Sequence, residues 1–257
     1  MTTNELQRRR VLQLLGGAGL LALASCASKG GSSAGSASTP TTGASSTSLS
    51  PSGTIPEETA GPFPGDGSNG ANALAQAGVV RTDIRSSFGP ATGTADGVRT
   101  TIKFTLTDAA GAPMKDAAVY VWHCDRDGRY SMYSDGATDQ NYLRGVQPAD
   151  ADGAVAFTSI YPACYSGRWP HIHFEVYPSV TDATASRNVL ATSQIALNED
   201  MCDSVYATAG YEQSRTNLSR VSLATDMVFS DGADLETPTV TGSVAQGYVV
   251  TLPVRLA

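Results

Sequence analysis

The sequence predicts an all-β domain, a β-sandwich with long ordered loops. Three observations carry this. No stretch sustains a 3.6-residue apolar period, so no long amphipathic helix is expected. Short runs rich in β-branched and aromatic residues recur between Gly, Asp and Pro turns. The 257 residues include 26 glycines and 13 prolines, which suits many turns rather than a helical bundle.

In chain order, residues 54–80 are rich in Pro and Gly and read as an ordered loop laid over the domain. Residues 99–107 alternate and read as a strand, and D-A-A-G-A-P at 108–113 turns the chain. A-A-V-Y-V-W-H at 117–123 is apolar on both faces and predicts a central strand. A turn at 125–128 follows. After the turn Asp150-Ala151-Asp152-Gly153 comes a strand over 154–160. Strands over 170–177, 190–197, 221–228 and 248–254 complete the expected set.

Residues 1–26 read as a targeting segment rather than fold. Arg8, Arg9 and Arg10 precede a run, Val11 to Ala24, too short to span as a stable transmembrane helix. The arginines resemble a twin-arginine export signal, and Leu23-Ala24-Ser25-Cys26 resembles a bacterial lipobox. The expectation is an exported chain whose only membrane contact is a lipid anchor at Cys26. Residues 27–53 are Ser, Gly, Thr and Ala with a few prolines, a flexible tether in composition. The folded domain is expected over 54–257. A formal charge of −7 offers nothing to neutralise a row of phosphates, which argues against a nucleic-acid partner. Oligomeric state is not legible. Beyond Cys26 the chain has Cys124, Cys164 and Cys202. Three thiols allow at most one bridge in an oxidising compartment, and Cys164 with Cys202 is the pair expected.

The chain has three histidines. On a strand His171 and His173 share a face, while Ile172, Phe174 and Val176 point into a core. Two imidazoles on one rigid face make half a metal site. They can equally be surface residues of an amphipathic strand. Just upstream lie a phenol, Tyr165, and a fixed cation, Arg168. Tyr130 follows the tight turn at Gly128, where a strand end presents functional groups, although most of the 10 tyrosines must be structural. His123 shares a face with Val119 and Val121 and reads as a hydrogen-bonded structural histidine. Glu175 falls on the histidine face and is expected to be solvated or to support a ligand. Arg144 and Gln147 either orient ligands or form a structural polar network.

The joint pattern is D-G-R-Y-S at 127–131, then N-Y-L-R-G-V-Q-P-A-D-A-D-G-A-V-A-F-T-S-I-Y-P-A-C-Y-S-G-R-W-P-H-I-H-F at 141–174. It resembles the intradiol ring-cleavage dioxygenases of the catechol and protocatechuate type, from about residue 117 to 177 and more weakly to Gln194. E-E-T-A-G-P-F near residue 60 also looks familial. The resemblance implies that family's β-sandwich. It also implies ferric iron held by Tyr130, Tyr165, His171 and His173, with Tyr130 and His171 equatorial and Tyr165 and His173 axial. By the same resemblance Arg168 stabilises charge on the substrate, Gln194 lines the substrate pocket, and Tyr165 takes a substrate proton. The implied reaction opens a catechol-type ring between its two hydroxyl-bearing carbons with O2, giving cis,cis-muconate-type products. Phenolate is a hard anionic donor that favours a high oxidation state, which agrees with Fe(III). Two departures stand out. Ala163 replaces a usual glycine and Cys164 a common tryptophan, which would reshape the pocket mouth. The N-terminal helical region of the intracellular catechol enzymes has no counterpart.

Two rival readings exist. One is a metal-lacking transthyretin-like sandwich acting as a surface binding module, which would have no reason to keep all four ligand residues. The other is a zinc hydrolase built on His-x-His, which lacks an evident third ligand at familiar spacing.

Overall fold

The computed structural model describes residues 53–257. The export segment, the lipobox and nearly all of the tether lie outside the described residues. Eight strands form two four-stranded sheets: β1 (Arg99–Thr107), β2 (Ala118–Trp122), β3 (Arg144–Pro148), β4 (Ala154–Ile160), β5 (His171–Tyr177), β6 (Ala191–Ala196), β7 (Thr239–Ser243) and β8 (Gly247–Arg255). One sheet runs β4-β1-β8-β7 and the other β3-β2-β5-β6. All pairings are antiparallel except β1 with β8.

β1 and β8 alternate strictly. Ile102, Phe104 and Leu106 on β1, and Val250, Leu252 and Val254 on β8, point inward. They meet Val119 and Val121 of β2 and Ile172, Phe174 and Val176 of β5 in one apolar core. Phe104 and Phe174 touch across it with ring centroids 5.0 Å apart. β2 and β5 are buried along their whole length. Their second face is covered by loops and by the short helix at Val180–Thr184, and a separate apolar cluster there includes Tyr120, Trp122, Cys124, Tyr130 and Ala163. This outer layer carries the polar residues described below.

Residues 53–86 lie over the domain as an ordered strap, as composition suggested. Ile55 N–H donates to Arg255 O at 2.9 Å and Glu58 N–H to Thr192 O at 2.7 Å. Val80 bridges Val146, and Asp83 bridges Thr158.

The expected organisation needs three corrections beyond the two strands it lacked, β3 and β7. First, the fold is sheet-rich but not all strand. Helices α1 (Val180–Thr184), α2 (Glu199–Tyr206) and α3 (Glu212–Leu218) are present, and Met201, Val205, Tyr206 and Leu218 join the main core. They are too short for a helical period to register in the sequence. Second, residues 221–228 form no strand. Ser222 and Thr225 cap a 3₁₀ turn reciprocally, and Asp226 takes the N–H groups of Val228 and Phe229, so donors a strand would give a neighbour are bound locally. Third, Cys164 and Cys202 form no bridge, and Cys124, Cys164 and Cys202 are all buried free thiols. The Cys202 sulfur sits 3.0 Å from the Tyr161 hydroxyl, and the Cys164 sulfur 3.5 Å from Arg168 O.

Candidate metal centre

β5 delivers both histidines to the outer face, since its odd positions point away from the core. His171 and His173 are buried, with their Nε2 atoms 3.2 Å apart. Tyr130 reaches them from the loop after β2. That loop turns at Asp125, whose Oδ1 accepts the N–H groups of Asp127 and Arg129. Gly128, at φ +84°, lies where a Cβ would stand 3.2 Å from Tyr165 Cβ, so the two tyrosine loops can close on each other. Tyr165 comes from the loop before β5. Its hydroxyl is 3.1 Å from His171 Nε2, and that of Tyr130 is 3.4 Å from the same atom. The two phenol oxygens and His173 Nε2 thus all lie within 3.4 Å of His171 Nε2.

This spacing can be tested against a metal. Ligands at bond lengths of about 2 Å from one ion sit about 3 Å from one another. Three donors at 3.1 to 3.4 Å from a fourth, His171 Nε2, meet that condition. His171 Nδ1 lies 2.6 Å from Trp169 O, so that nitrogen carries the proton and Nε2 keeps its lone pair. His173 is oriented differently, by stacking on Trp122 at 5.0 Å and an interplanar angle of 3°. Burial holds His171 down to about 3 and His173 well below its usual value, so both imidazoles are neutral. Burial also pushes the Tyr165 phenol up to about 12 and raises that of Tyr130 well above its usual range. These phenols give up their protons at neutral pH only to a concentrated positive charge, which a high-valent cation supplies. Tyr130 is buried, whereas Tyr165 is half-exposed.

Arg168 lies 11% exposed beside the centre. Its Nε donates to Asp226 Oδ2 at 2.9 Å and its Nη2 to Gln194 Oε1 at 2.8 Å. Gln194 stands opposite His173 on β6 and donates to Thr59 O at 2.8 Å, which fastens the strap to the site. The Phe229 ring flanks Arg168 at 5.8 Å.

Every residue expected at the site is therefore gathered there: Tyr130, Tyr165, His171 and His173 at one point, and Arg168 and Gln194 on the adjoining wall. His123 stays apart and structural, held by Cys124 O at 2.8 Å and Ser159 Oγ at 2.7 Å. Two expectations change, and the alternatives left open for Arg144 are decided. Glu175 is buried rather than solvated and accepts from the Tyr177 hydroxyl at 2.5 Å. Ala163 and Cys164 are buried, so these departures fill the interior instead of shaping a mouth. Arg144 is buried and donates to Phe63 O, Pro64 O, Ser131 O and the hydroxyls of Ser131 and Tyr120, a structural network that pins the strap. Gln147 stays outside it, bonded to Thr82 and its neighbour's carbonyl. Sequence reasoning missed Asp226, Phe229, Trp122 and Gly61. Their signal is tertiary, since Asp226 is 58 residues from the arginine it holds. Among the described residues no three His, Cys, Asp or Glu gather to hold an ion, which disfavours a zinc site of the hydrolase kind.

Comparison with known proteins agrees with this geometry. Residues 81–202 match the family described as Dioxygenase. A chlorocatechol 1,2-dioxygenase of Rhodococcus opacus is 43% identical over 67 residues, covering 25% of this chain and 26% of that protein. A hydroxyquinol 1,2-dioxygenase of Nocardioides simplex is 32% identical over 108 residues, covering 35% and 36% respectively. The chain thus spans only about a quarter to a third of the length of these curated relatives. In three dimensions it is similar to an intradiol ring-cleavage dioxygenase of Tetranychus urticae. The TM-score is 0.63 at 23% identity, over 79% of this chain and 94% of that one, a likeness of fold. The family match, which includes Tyr130, Tyr165, His171 and His173, the curated relatives and the likeness of fold all indicate the intradiol ring-cleavage dioxygenase family.

Proposed function

We propose that the protein is a non-haem iron dioxygenase that opens catechol-type rings between the two hydroxyl-bearing carbons with O2, giving cis,cis-muconate-type products. The observation that carries this is the convergence of two phenols on two neutral imidazoles within 3.4 Å of one nitrogen. Tyr130, Tyr165, His171 and His173 would hold Fe(III), whose hardness suits phenolate oxygen. The bound ion supplies the Lewis acidity that draws electron density from a catechol and makes its ring carbon open to O2.

The chain's own residues do the rest. Tyr165, the more exposed of the two phenols, would be a phenolate when the ion is bound and would take a catechol proton at that oxygen, becoming a neutral phenol, as the diol enters. Arg168 sets a fixed positive charge beside the centre and stabilises anionic charge developing on the ring. Gln194 holds one edge of that guanidinium and the strap at Thr59, keeping the wall of the pocket rigid. Trp122 and Phe63 pack apolar surface against the centre. A binding module would not require buried, convergent donors of this kind. Relatives act on chlorocatechol and hydroxyquinol by name, and the same chemistry here extends to aromatic catabolism outside the cytoplasm. We further propose that residues 1–26 export the chain and that Cys26 anchors it by lipid. Cys26→Ser should release it from the membrane fraction, and retention there sinks the anchor.

Tyr130→Phe tests the centre directly. It is expected to bleach or shift the visible tyrosinate band and to lower oxygen uptake with catechol by on the order of a hundred-fold or more. A variant that keeps colour and turnover refutes the ligand assignment. A wild-type preparation free of iron and inert toward a panel of catechols refutes the activity.

A further inference from the structure

We infer that Asp226 is the positioning residue of this centre, fixing where Arg168 presents its charge to the reacting ring. The inference rests on the ring-cleavage reading above. Asp226 is fully buried, and both its oxygens are engaged. Oδ2 accepts Arg168 Nε at 2.9 Å and Trp169 N–H at 2.6 Å. Oδ1 accepts the N–H groups of Val228 at 2.8 Å and Phe229 at 3.2 Å. One carboxylate therefore ties three things together: the guanidinium, the backbone entering β5, and the turn that carries the Phe229 ring.

The consequences follow from connectivity. Trp169, whose N–H is held by Asp226, is also the residue whose carbonyl faces His171 Nδ1 at 2.6 Å. Phe229, set by the same carboxylate, flanks both Arg168, 5.8 Å from its ring, and His171, 6.5 Å between centroids. Arg168 is held at Nε by Asp226 and at Nη2 by Gln194, two edges of a planar fork. A fork fixed on two edges has one orientation, and its remaining N–H groups are aimed without a search. Asp226 makes no hydrogen bond to Tyr130, Tyr165, His171 or His173, and Arg168 is the group through which it reaches the reacting ring. An arginine this buried also needs a counter-charge, and among the carboxylates Asp226 is the one bonded to it.

The test is a double-mutant cycle with a structural readout. Asp226→Asn removes the charge, keeps an oxygen for the N–H groups of Val228 and Phe229, and turns an NH2 toward Arg168 Nε and Trp169 N–H, which it cannot accept. It is expected to keep iron and the visible band, and to lower kcat by about ten- to a hundred-fold with little change in KM. In an Arg168→Ala background the same change should cost no more than about two-fold, because its route to the ring is already cut. In the crystal structure of Asp226→Asn the guanidinium should leave its observed place or split over several. Losses that multiply across the cycle, loss of the visible band, or a guanidinium that stays in place would each overturn the inference. Should Asp226→Asn fail to fold, Arg168→Lys decides. A lone ammonium cannot span Asp226 and Gln194, so its kcat should fall as far as that of Arg168→Ala. Near-wild-type turnover by the lysine variant would mean that charge alone suffices. A wild-type enzyme inert toward every catechol sinks the ring-cleavage reading instead, and the crystallographic readout then still judges Asp226.

Discussion

Gly61 shows how closely single residues are fitted around the centre. Its φ is +68°, and a Cβ there would lie 3.3 Å from His173 Cε1. Gly61→Ala should therefore combine backbone strain of about 1 kcal/mol with pressure on a ligand ring. The expected result is a lower melting temperature and a shifted visible band; an unchanged spectrum would show that the strap moves freely. His123 offers a second residue-level test. Burial lowers its pKa to about 4 from 6.5. The unfolded chain takes up a proton near 6.5 that the fold refuses until about 4, so unfolding consumes a proton across that window. Stability is thus fully present above 6.5 and falls as pH drops toward 4, by about 3 kcal/mol from this group. His123→Gln should flatten that part of the stability profile in urea titrations. The sharing of a face by His171 and His173 was legible because strand alternation is local. The partnership of Arg168 with Asp226 was not, because nothing in a D-M-V-F run says which distant cation it meets.

Strands with strong alternation or β-branched content could be read from the chain within a residue or two, β1, β4 and β8 among them. β3 could not. R-G-V-Q-P holds one apolar side chain, and its leading residue is an arginine that is buried only because five hydrogen bonds receive its guanidinium. That element is therefore stabilised by polar satisfaction, which leaves no hydropathy signal. Arg144→Met should leave the carbonyls of Phe63, Pro64 and Ser131 without those donors and cost about 3 kcal/mol in urea unfolding. Proteolysis near residues 61–70 should speed up with it. A variant as stable and as resistant as wild type would mean that the strap is held from elsewhere. β7, T-V-T-G-S at a sheet edge, was missed for the opposite reason: it is short and half-exposed, and its pairing with β8 defines it.

Across the molecule, charge bears on which catechols enter. The chain carries −7, and Asp226 bonds Arg168 while Glu58 lies close enough to feel Arg168, Asp226 and Asp231. Glu58 is raised by burial and then by Asp231, and Glu236 is raised to about 8 by burial and then by Glu58. Arg168 is already matched by Asp226. A ring carboxylate would bring a further negative charge beside buried acids that already disfavour one, while the remaining N–H groups of Arg168 are directed to the reacting ring. Catechol is therefore expected to show a higher kcat/KM than protocatechuate, with the gap narrowing as salt screens the repulsion. A preference for protocatechuate at low salt would contradict this. The four-residue centre itself was legible only through its resemblance to a family. Tyr130 and His171 are 41 residues apart, and spacing alone does not bring them to one point.

The seat of β8 between β1 and β7 dictates when the protein can become itself. The middle of that sheet is furnished by residues 247–255, so β1 waits for its parallel neighbour until nearly every described residue has left the ribosome. That sheet thus closes only once residues 247–255 are free to pair. A ribosome stalled before residue 247 should hold an open sheet rather than a smaller domain.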